Sequence, residues 1–189
     1  KYTQELISLK LGKLNNIPSV AMRYSIVHGP RQSVKNAYSG ALRIFTLQML
    51  NDQNPIIFED GLQKRDFVSV YDVARANALV LENPKADYQT INVGTGKAYT
   101  VFELAELIRK ILKKPNLTIH PSGEYRLGDI RHAVSDISKL EMLGWKPQET
   151  EEKIVKEYIS WVLKQKTGKK YLSEAFKNLR IAGIIRSHY

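Results

Sequence analysis

The sequence predicts an α/β fold: the closing strands and helices of a doubly wound parallel sheet, interleaved with a smaller mixed α/β lobe. Three observations carry this. Residues 2–27 read as helix, short turn and buried strand, the second half of a doubly wound unit. Strand and helix signals then alternate as far as about residue 163. Finally, Thr100 and Glu103 form a capping box ahead of a regular apolar stripe, the strongest helix start in the chain.

In order, residues 2–14 carry apolar side chains at 2, 6, 9 and at 7, 11, 14, a helical spacing closed by Gly12 and the Asn15-Asn16-Ile17-Pro18 turn. Residues 19–27 follow as one strand, and 34–38 as loop. Residues 40–51 read as a helix with Leu42, Phe45 and Met49 on one face. Residues 55–58 are a short strand stopped by Glu59-Asp60-Gly61, and 66–70 alternate as a strand. Asp72 is the expected cap of a helix through Leu81, ended by Asn83-Pro84. Residues 90–93 are strand, and Gly94-Thr95-Gly96 is a turn; no third glycine follows at dinucleotide spacing. In the helix that Thr100 opens, Val101, Leu104, Leu107, Ile108 and Ile111 form the buried stripe. Residues 117–120 are strand, Asp136 is the expected cap of a brief helix ending at Gly144, and Thr150 caps a helix with Ile154, Tyr158, Trp161 and Val162 inward. Beyond Thr167-Gly168 periodicity weakens, and residues 164–189 are left as an unassigned basic tail.

Composition narrows the function classes. With 189 residues, 43 % of them hydrophobic, the chain suits one good core or part of a larger protein. There is no cysteine, which excludes disulfides and thiolate metal sites and makes a cytoplasmic setting the expectation. Apolar runs are too short for a membrane span. The net charge is +10, and Lys164, Lys166, Lys169, Lys170, Lys177, Arg180 and Arg186 of the tail are accompanied by a single acid, Glu174. Without an aromatic ladder or a nucleic-acid motif, the excess reads as a solvated surface plus an anion-binding cleft, not nucleic-acid or membrane binding. His28, His120, His132 and His188 show no metal-ligand spacing, so no metal is expected.

The chain is organised around Arg23-Tyr24-Ser25-Ile26-Val27-His28-Gly29-Pro30-Arg31-Gln32, a strand end breaking into a polar loop, where α/β proteins place ligands. This segment resembles that of the NAD-dependent sugar-nucleotide epimerases and dehydratases, the extended short-chain dehydrogenase family. The likeness continues through Arg65-Asp66-Phe67-Val68, Arg126-Leu127-Gly128-Asp129, Val134-Ser135-Asp136-Ile137 and Leu143-Gly144-Trp145-Lys146-Pro147. At the start, Lys1-Tyr2-Thr3-Gln4-Glu5-Leu6 is similar to the continuation of the family's catalytic Tyr-x-x-x-Lys helix. The resemblance therefore implies the C-terminal part of a Rossmann-like fold, with the catalytic tyrosine and the glycine-rich cofactor turn expected before position 1.

What the resemblance implies for individual residues can be set beside their chemistry. Lys1 would be the catalytic lysine: an ammonium lowers a neighbouring tyrosine from its usual pKa of about 10 and can hold the nicotinamide ribose. Tyr24 would lie on the same cofactor side, with NAD as cofactor and NADP left open. Arg65 and Arg126 would take the two sides of a nucleotide-sugar diphosphate, which a permanently charged guanidinium fork suits. Asp129 would bind a ribose hydroxyl, and Ile57 and Phe58 would flank the base. Ile26 stands where the family usually has an amide that contacts the sugar, with Ser25 a partial substitute, and His28 replaces an aromatic residue.

The implied activity is a UDP-hexose 4-epimerase working by transient C4 oxidation with hydride transfer to NAD, and weak sugar contact suits the turning of the ketosugar. A 4,6-dehydratase or reductase on the same scaffold is the alternative, and a homodimer is open. From another class, a non-catalytic dinucleotide-sensing or protein-binding module also fits, and a basic scaffold acting through its tail ranks last.

Overall fold

A computed structural model describes residues 1–34, 40–165, 181 and 185–187. All of the loop expected at 34–38 except Val34, and most of the basic tail with His188, lie outside them.

In chain order the elements are α1 (Tyr2–Leu14), β1 (Ala21–Tyr24), β2 (Ile26–His28), α2 (Ala41–Leu50), β3 (Ile56–Ile57), β4 (Lys64–Arg65), β5 (Phe67–Ser69), α3 (Val70–Glu82), a 3-10 turn (Pro84–Ala86), β6 (Thr90–Val93), β7 (Tyr99–Thr100), α4 (Val101–Ile111), β8 (His120–Pro121), β9 (Glu124–Arg126), β10 (His132–Ala133), α5 (Ser138–Met142), α6 (Glu151–Leu163) and β11 (Ile185–Ser187). Strands β1 and β6, β2 and β5, and β3 and β8 pair in parallel. β4 pairs in parallel with β10 and antiparallel with β7.

The single strand expected at 19–27 is two strands. The Ser25 amide donates to the Val93 carbonyl at 2.8 Å, whereas the next amide, Ile26, donates to the Asp66 carbonyl at 3.1 Å. One segment thus leaves β6 for β5 at Ser25, a change of neighbour that a run of apolar residues does not encode.

Two cores lie on either side of β5. Phe67 packs with Leu42, Phe45, Met49, Ile57, Leu104, Ile108, Val155, Tyr158 and Val162, from α2, β3, α4 and α6. The next residue, Val68, packs with Val73, Ala76, Val80, Ile91, Val93, Leu140 and Trp145, from α3, β6, α5 and the stretch after it. Successive strand residues point to opposite faces, so β5 joins the two lobes, whose elements alternate in sequence.

The Thr100–Glu103 capping box is present, with Glu103 N–H donating to Thr100 Oγ1 at 3.0 Å and Thr100 N–H to Glu103 Oε2 at 2.7 Å. Thr150 caps α6 as expected. Two expected caps differ. Ser69, not Asp72, caps α3, its hydroxyl accepting from the Tyr71 amide at 3.1 Å. Asp72 is instead fully buried and accepts from the amides of Gln148 and Glu149 at 2.9 and 3.1 Å and from Arg75. Ile137 occupies the cap position of α5, while the Asp136 carboxylate accepts from the Ser138 amide at 2.9 Å. The strand expected at 117–120 is displaced to His120–Pro121, because the Thr118 amide is turned onto Asn54 Oδ1 at 3.0 Å.

Candidate functional site

Polar side chains with chemistry to offer gather where β4, the turn after β9, and β10 meet. The turn is closed by the Asp129 amide donating to the Arg126 carbonyl at 3.2 Å, and Gly128 supplies its left-handed residue, with φ +76°. A side chain at that φ would be strained. The turn carries Asp129 back over β4, where Asp129 Oδ1 accepts from Arg65 Nη2 at 3.0 Å. Arg65 Nη1 donates to the carbonyls of Lys64 at 2.9 Å and Arg131 at 3.1 Å. Three acceptors thus fix the plane of a partly buried guanidinium. Arg65 and Asp129 are brought together directly, and Arg126 stands at the start of the same turn with its side chain exposed.

Beside them lies Arg131, which sequence reasoning had not assigned. It forms a fork on Asp60, at 2.6 and 2.7 Å, and reaches Glu59 at 3.2 Å. The Arg131 guanidinium, helped by the Leu62 amide, holds the Asp60 carboxyl well below the usual carboxylate range. A surface groove of about 480 Å³ lined by Glu59, Asp60, Gly123, Tyr125 and Arg131 adjoins this pair.

Under the site, Asp66 is fully buried. Its carboxylate accepts from the Thr95 amide at 2.8 Å, the Thr95 hydroxyl at 2.6 Å, the Gly96 amide at 3.2 Å and the Ser135 amide at 3.2 Å. The Gly94-Thr95-Gly96 turn is therefore an anion-holding nest filled by the chain's own carboxylate. The sequence signal was available in the Arg65-Asp66 pair, one residue turned toward Asp129 and the next locking the turn beneath.

The remaining expected residues divide. Ile57 is fully buried, and its carbonyl accepts from the Ser122 amide at 2.8 Å and hydroxyl at 3.0 Å. Phe58 is packed against the same core, and its carbonyl accepts from Gln63 Nε2 at 3.0 Å. Ser25 donates its hydroxyl to the Asp66 carbonyl at 2.6 Å. His28 is buried, stacked on Phe67 with centroids 4.5 Å apart and its Nδ1 3.4 Å from Glu151 Oε1. Arg43, buried so that its guanidinium is pushed below its usual pKa, donates to the Val34 carbonyl at 2.9 Å and fastens the loop that Gly29-Pro30 opens. Among the described residues no group of three or more His, Asp or Glu could hold a metal ion.

On the other lobe, Lys1 is the exposed first residue before α1, and its carbonyl accepts from the Glu5 amide at 3.1 Å. The Glu5 carboxylate takes Arg23 Nε and Nη2, both at 2.7 Å, and the Thr90 hydroxyl at 3.2 Å. This clamp ties the first turn of α1 to β1 through Arg23 and to β6 through Thr90. Tyr24, the last residue of β1, is exposed and donates its hydroxyl to Asn77 Oδ1 at 2.9 Å.

The model of the NAD dependent epimerase/dehydratase family matches residues 1–94. A Methanocaldococcus jannaschii protein provisionally named a UDP-glucose 4-epimerase is 37 % identical over 162 residues, covering 86 % of this chain and 51 % of that protein. The solved UDP-glucose 4-epimerase of Thermotoga maritima, with UDP-glucose, superposes with a TM-score of 0.78 at 33 % identity, over 87 % of this chain and 52 % of that one. The Bacillus cereus UDP-glucuronic acid 4-epimerase, in complex with UDP-glucuronic acid and NAD, gives 0.73 at 27 % identity, over 86 % and 51 %. The chain thus spans about half the length of the relatives it matches. An identity of 37 % over 86 % of the chain, with the family match over residues 1–94, shows that the chain belongs to the NAD dependent epimerase/dehydratase family.

Proposed function

We propose that this chain supplies the substrate-binding portion, and the lysine of the catalytic helix, of an NAD-dependent nucleotide-sugar 4-epimerase acting on a UDP-hexose. The observation that carries the reading is the junction of Arg65, Asp129 and Arg126. Arg65 is held planar with its charge partly shielded, and Arg126 leads the turn that delivers Asp129 to it. A diphosphate entering here would exchange one carboxylate for two anionic groups against two guanidinium forks. Asp129, once relieved of Arg65, has acceptors to offer a ribose hydroxyl. Ile57 and Phe58 give an apolar floor near the base, and Ser25 keeps its oxygen lone pairs for the sugar. The named substrates of the Thermotoga and Bacillus neighbours, UDP-glucose and UDP-glucuronic acid, support this choice of ligand class.

For the cofactor, the residues that fit are Lys1, just ahead of the helix that Glu5 ties to Arg23, and Tyr24, the last residue of β1. NAD would supply a hydride acceptor and donor for the sugar carbon. Lys1, placed by the Glu5–Arg23 clamp, would offer its ammonium to the cofactor ribose and to the phenol of a tyrosine acid–base. The lack of an amide at Ile26 leaves the sugar loosely held, which suits presentation of either face. A cytoplasmic setting and a homodimer belong to the same proposal.

The test compares UDP with uridine by calorimetry on the intact protein. UDP should bind at least about tenfold tighter, one charge-assisted contact contributing about 1.5–3 kcal/mol. Arg65→Ala and Arg126→Ala should each remove most of that difference. Equal affinity for UDP and uridine would overturn the diphosphate assignment. Turnover of UDP-glucose to its C4 epimer, followed by NMR with NAD present, tests the reaction itself.

A further inference from the structure

The C-terminal strand is not used by any role assigned above, yet it is bonded to the candidate site. β11 runs antiparallel to β9, with Ile185 opposite Arg126, Arg186 opposite Tyr125 and Ser187 opposite Glu124. Among the described residues these two strands form a sheet of their own, with no third strand. On its other side β9 also receives the Glu59 amide, which donates to the Glu124 carbonyl at 2.8 Å. A ribbon of two short strands is marginal unless packed on something. Here Ile185, only 5 % exposed, is packed in the core formed by α2, α4 and α6.

We propose that Ile185–Ser187 is a positioning strap for nucleotide-sugar binding. It fixes β9, and through it the Arg126–Asp129 turn, in the geometry that presents both Arg126 and the Arg65–Asp129 pair. Ile185 is a positioning residue: it touches no ligand and acts through its pairing with Arg126. This rests on the reading of Arg126 as a diphosphate ligand. The turn needs such help. It leaves β9 immediately after Arg126 and contains the left-handed Gly128; its far end is held by the Asp129–Arg65 contact at 3.0 Å and by the Lys64 amide donating to the Arg131 carbonyl at 3.2 Å, while its near end takes its alignment from β9. A strand that samples other positions lowers apparent affinity in proportion to the time the turn spends misaligned. One aligned a tenth of the time binds about tenfold more weakly.

The experiment measures UDP and NAD affinity by calorimetry in the intact protein for five forms: unaltered, Ile185→Asp, Ile185→Val, deletion of 185–187, and Arg126→Ala. Ile185→Asp and the deletion are expected to weaken UDP about tenfold. Ile185→Val should stay within about twofold of the unaltered protein, since it keeps an apolar side chain of nearly the same volume. NAD affinity should not move in any of them, and amide exchange should accelerate at Tyr125 and Arg126 in the strand variants. If Arg126→Ala weakens UDP while Ile185→Asp and the deletion remain folded with unchanged UDP affinity, the strap is overturned and the diphosphate reading stands. If Arg126→Ala leaves UDP affinity unchanged, the diphosphate reading falls and takes the strap with it. If the strand variants lose NAD and UDP binding together, or do not fold, β11 is a part of the core and not a strap.

Discussion

Arg65 Nη2 stands 3.0 Å from Asp129 Oδ1, a contact between residues 64 apart in sequence. The carboxylate takes one edge of the guanidinium, and two backbone carbonyls take another nitrogen. What holds this side chain is its shape, not its charge alone. An ammonium cannot donate along these separated directions at once. Arg65→Lys should therefore lose UDP affinity to within about threefold of Arg65→Ala, a charge-conserving change with almost the cost of truncation. Retention of near-normal affinity by the lysine variant, measured by calorimetry, would show that only the charge matters.

Its neighbour Asp66 has the opposite task. Four donors converge on a carboxylate with no solvent exposure. Asp66→Asn places an amide N–H₂ against amide donors, leaving at least one pair unsatisfied at about 1–3 kcal/mol per buried group, more for charged ones. Urea denaturation should show a loss of about 3 kcal/mol or more. Because β5 joins both cores, the lowered midpoint should be the same when followed by tryptophan fluorescence, which reports Trp145 and Trp161 together, and by far-UV circular dichroism.

The contrast between these two residues shows what a sequence discloses. Amphipathic helices were legible because their period is local: the α4 stripe and its capping box, and the Thr150 cap, stand as read. Arg65 and Asp129 were named through family motifs, as types of residue at recognisable spacing, and the fold sets them in contact. Three things were not legible. The change of strand partner at Ser25 depends on where β5 and β6 sit, which residues 19–27 do not carry. The identity of the α3 cap was ambiguous because serine and aspartate both cap helices, and only tertiary demand from the Gln148 and Glu149 amides drew Asp72 inward. The strand at Ile185–Ser187 was missed because three residues give no period to detect.

That cap assignment has a measurable consequence. Ser69→Ala should cost about 1 kcal/mol, the usual loss for an N-cap hydroxyl. Asp72→Ala should cost more, about 3 kcal/mol, since it abandons two backbone amides and Arg75 together. If Asp72 were the cap and nothing else, Asp72→Ala would cost about 1 kcal/mol and Ser69→Ala almost nothing.

Acid dependence should follow the Asp60–Arg131 fork. The Arg131 hydrogen bond lowers the Asp60 carboxyl below its unfolded value of about 3.9. A depressed carboxylate contributes stability above the unfolded value, and that contribution disappears as pH falls through the folded one. The difference in melting temperature between the unaltered protein and Asp60→Asn should be present at pH 7 and close as the pH is taken below about 4. Both partners are well exposed, so the difference should be small and shrink with added salt. A gap that widened on acidification would contradict this pairing.

The last prediction concerns α1. Its only buried residue is Gly12, where an added Cβ would come within 2.8 Å of the Ile17 carbonyl. Ile7, Leu11 and Leu14, at helical spacing, are 52 %, 53 % and 78 % exposed, and Tyr2 is 65 % exposed. Such a stripe on the surface of an isolated domain is a site of association. Expressed as residues 1–189 alone, the protein should self-associate at micromolar concentration and bind a hydrophobic dye. Leu11→Lys combined with Leu14→Glu should reduce both effects with little loss of stability, because neither side chain is packed in either core. Sedimentation velocity decides it: a monomer unaffected by the double substitution would mean that this face does not drive contact. A shift from oligomer to monomer would locate the contact on the same helix whose first turn places Lys1.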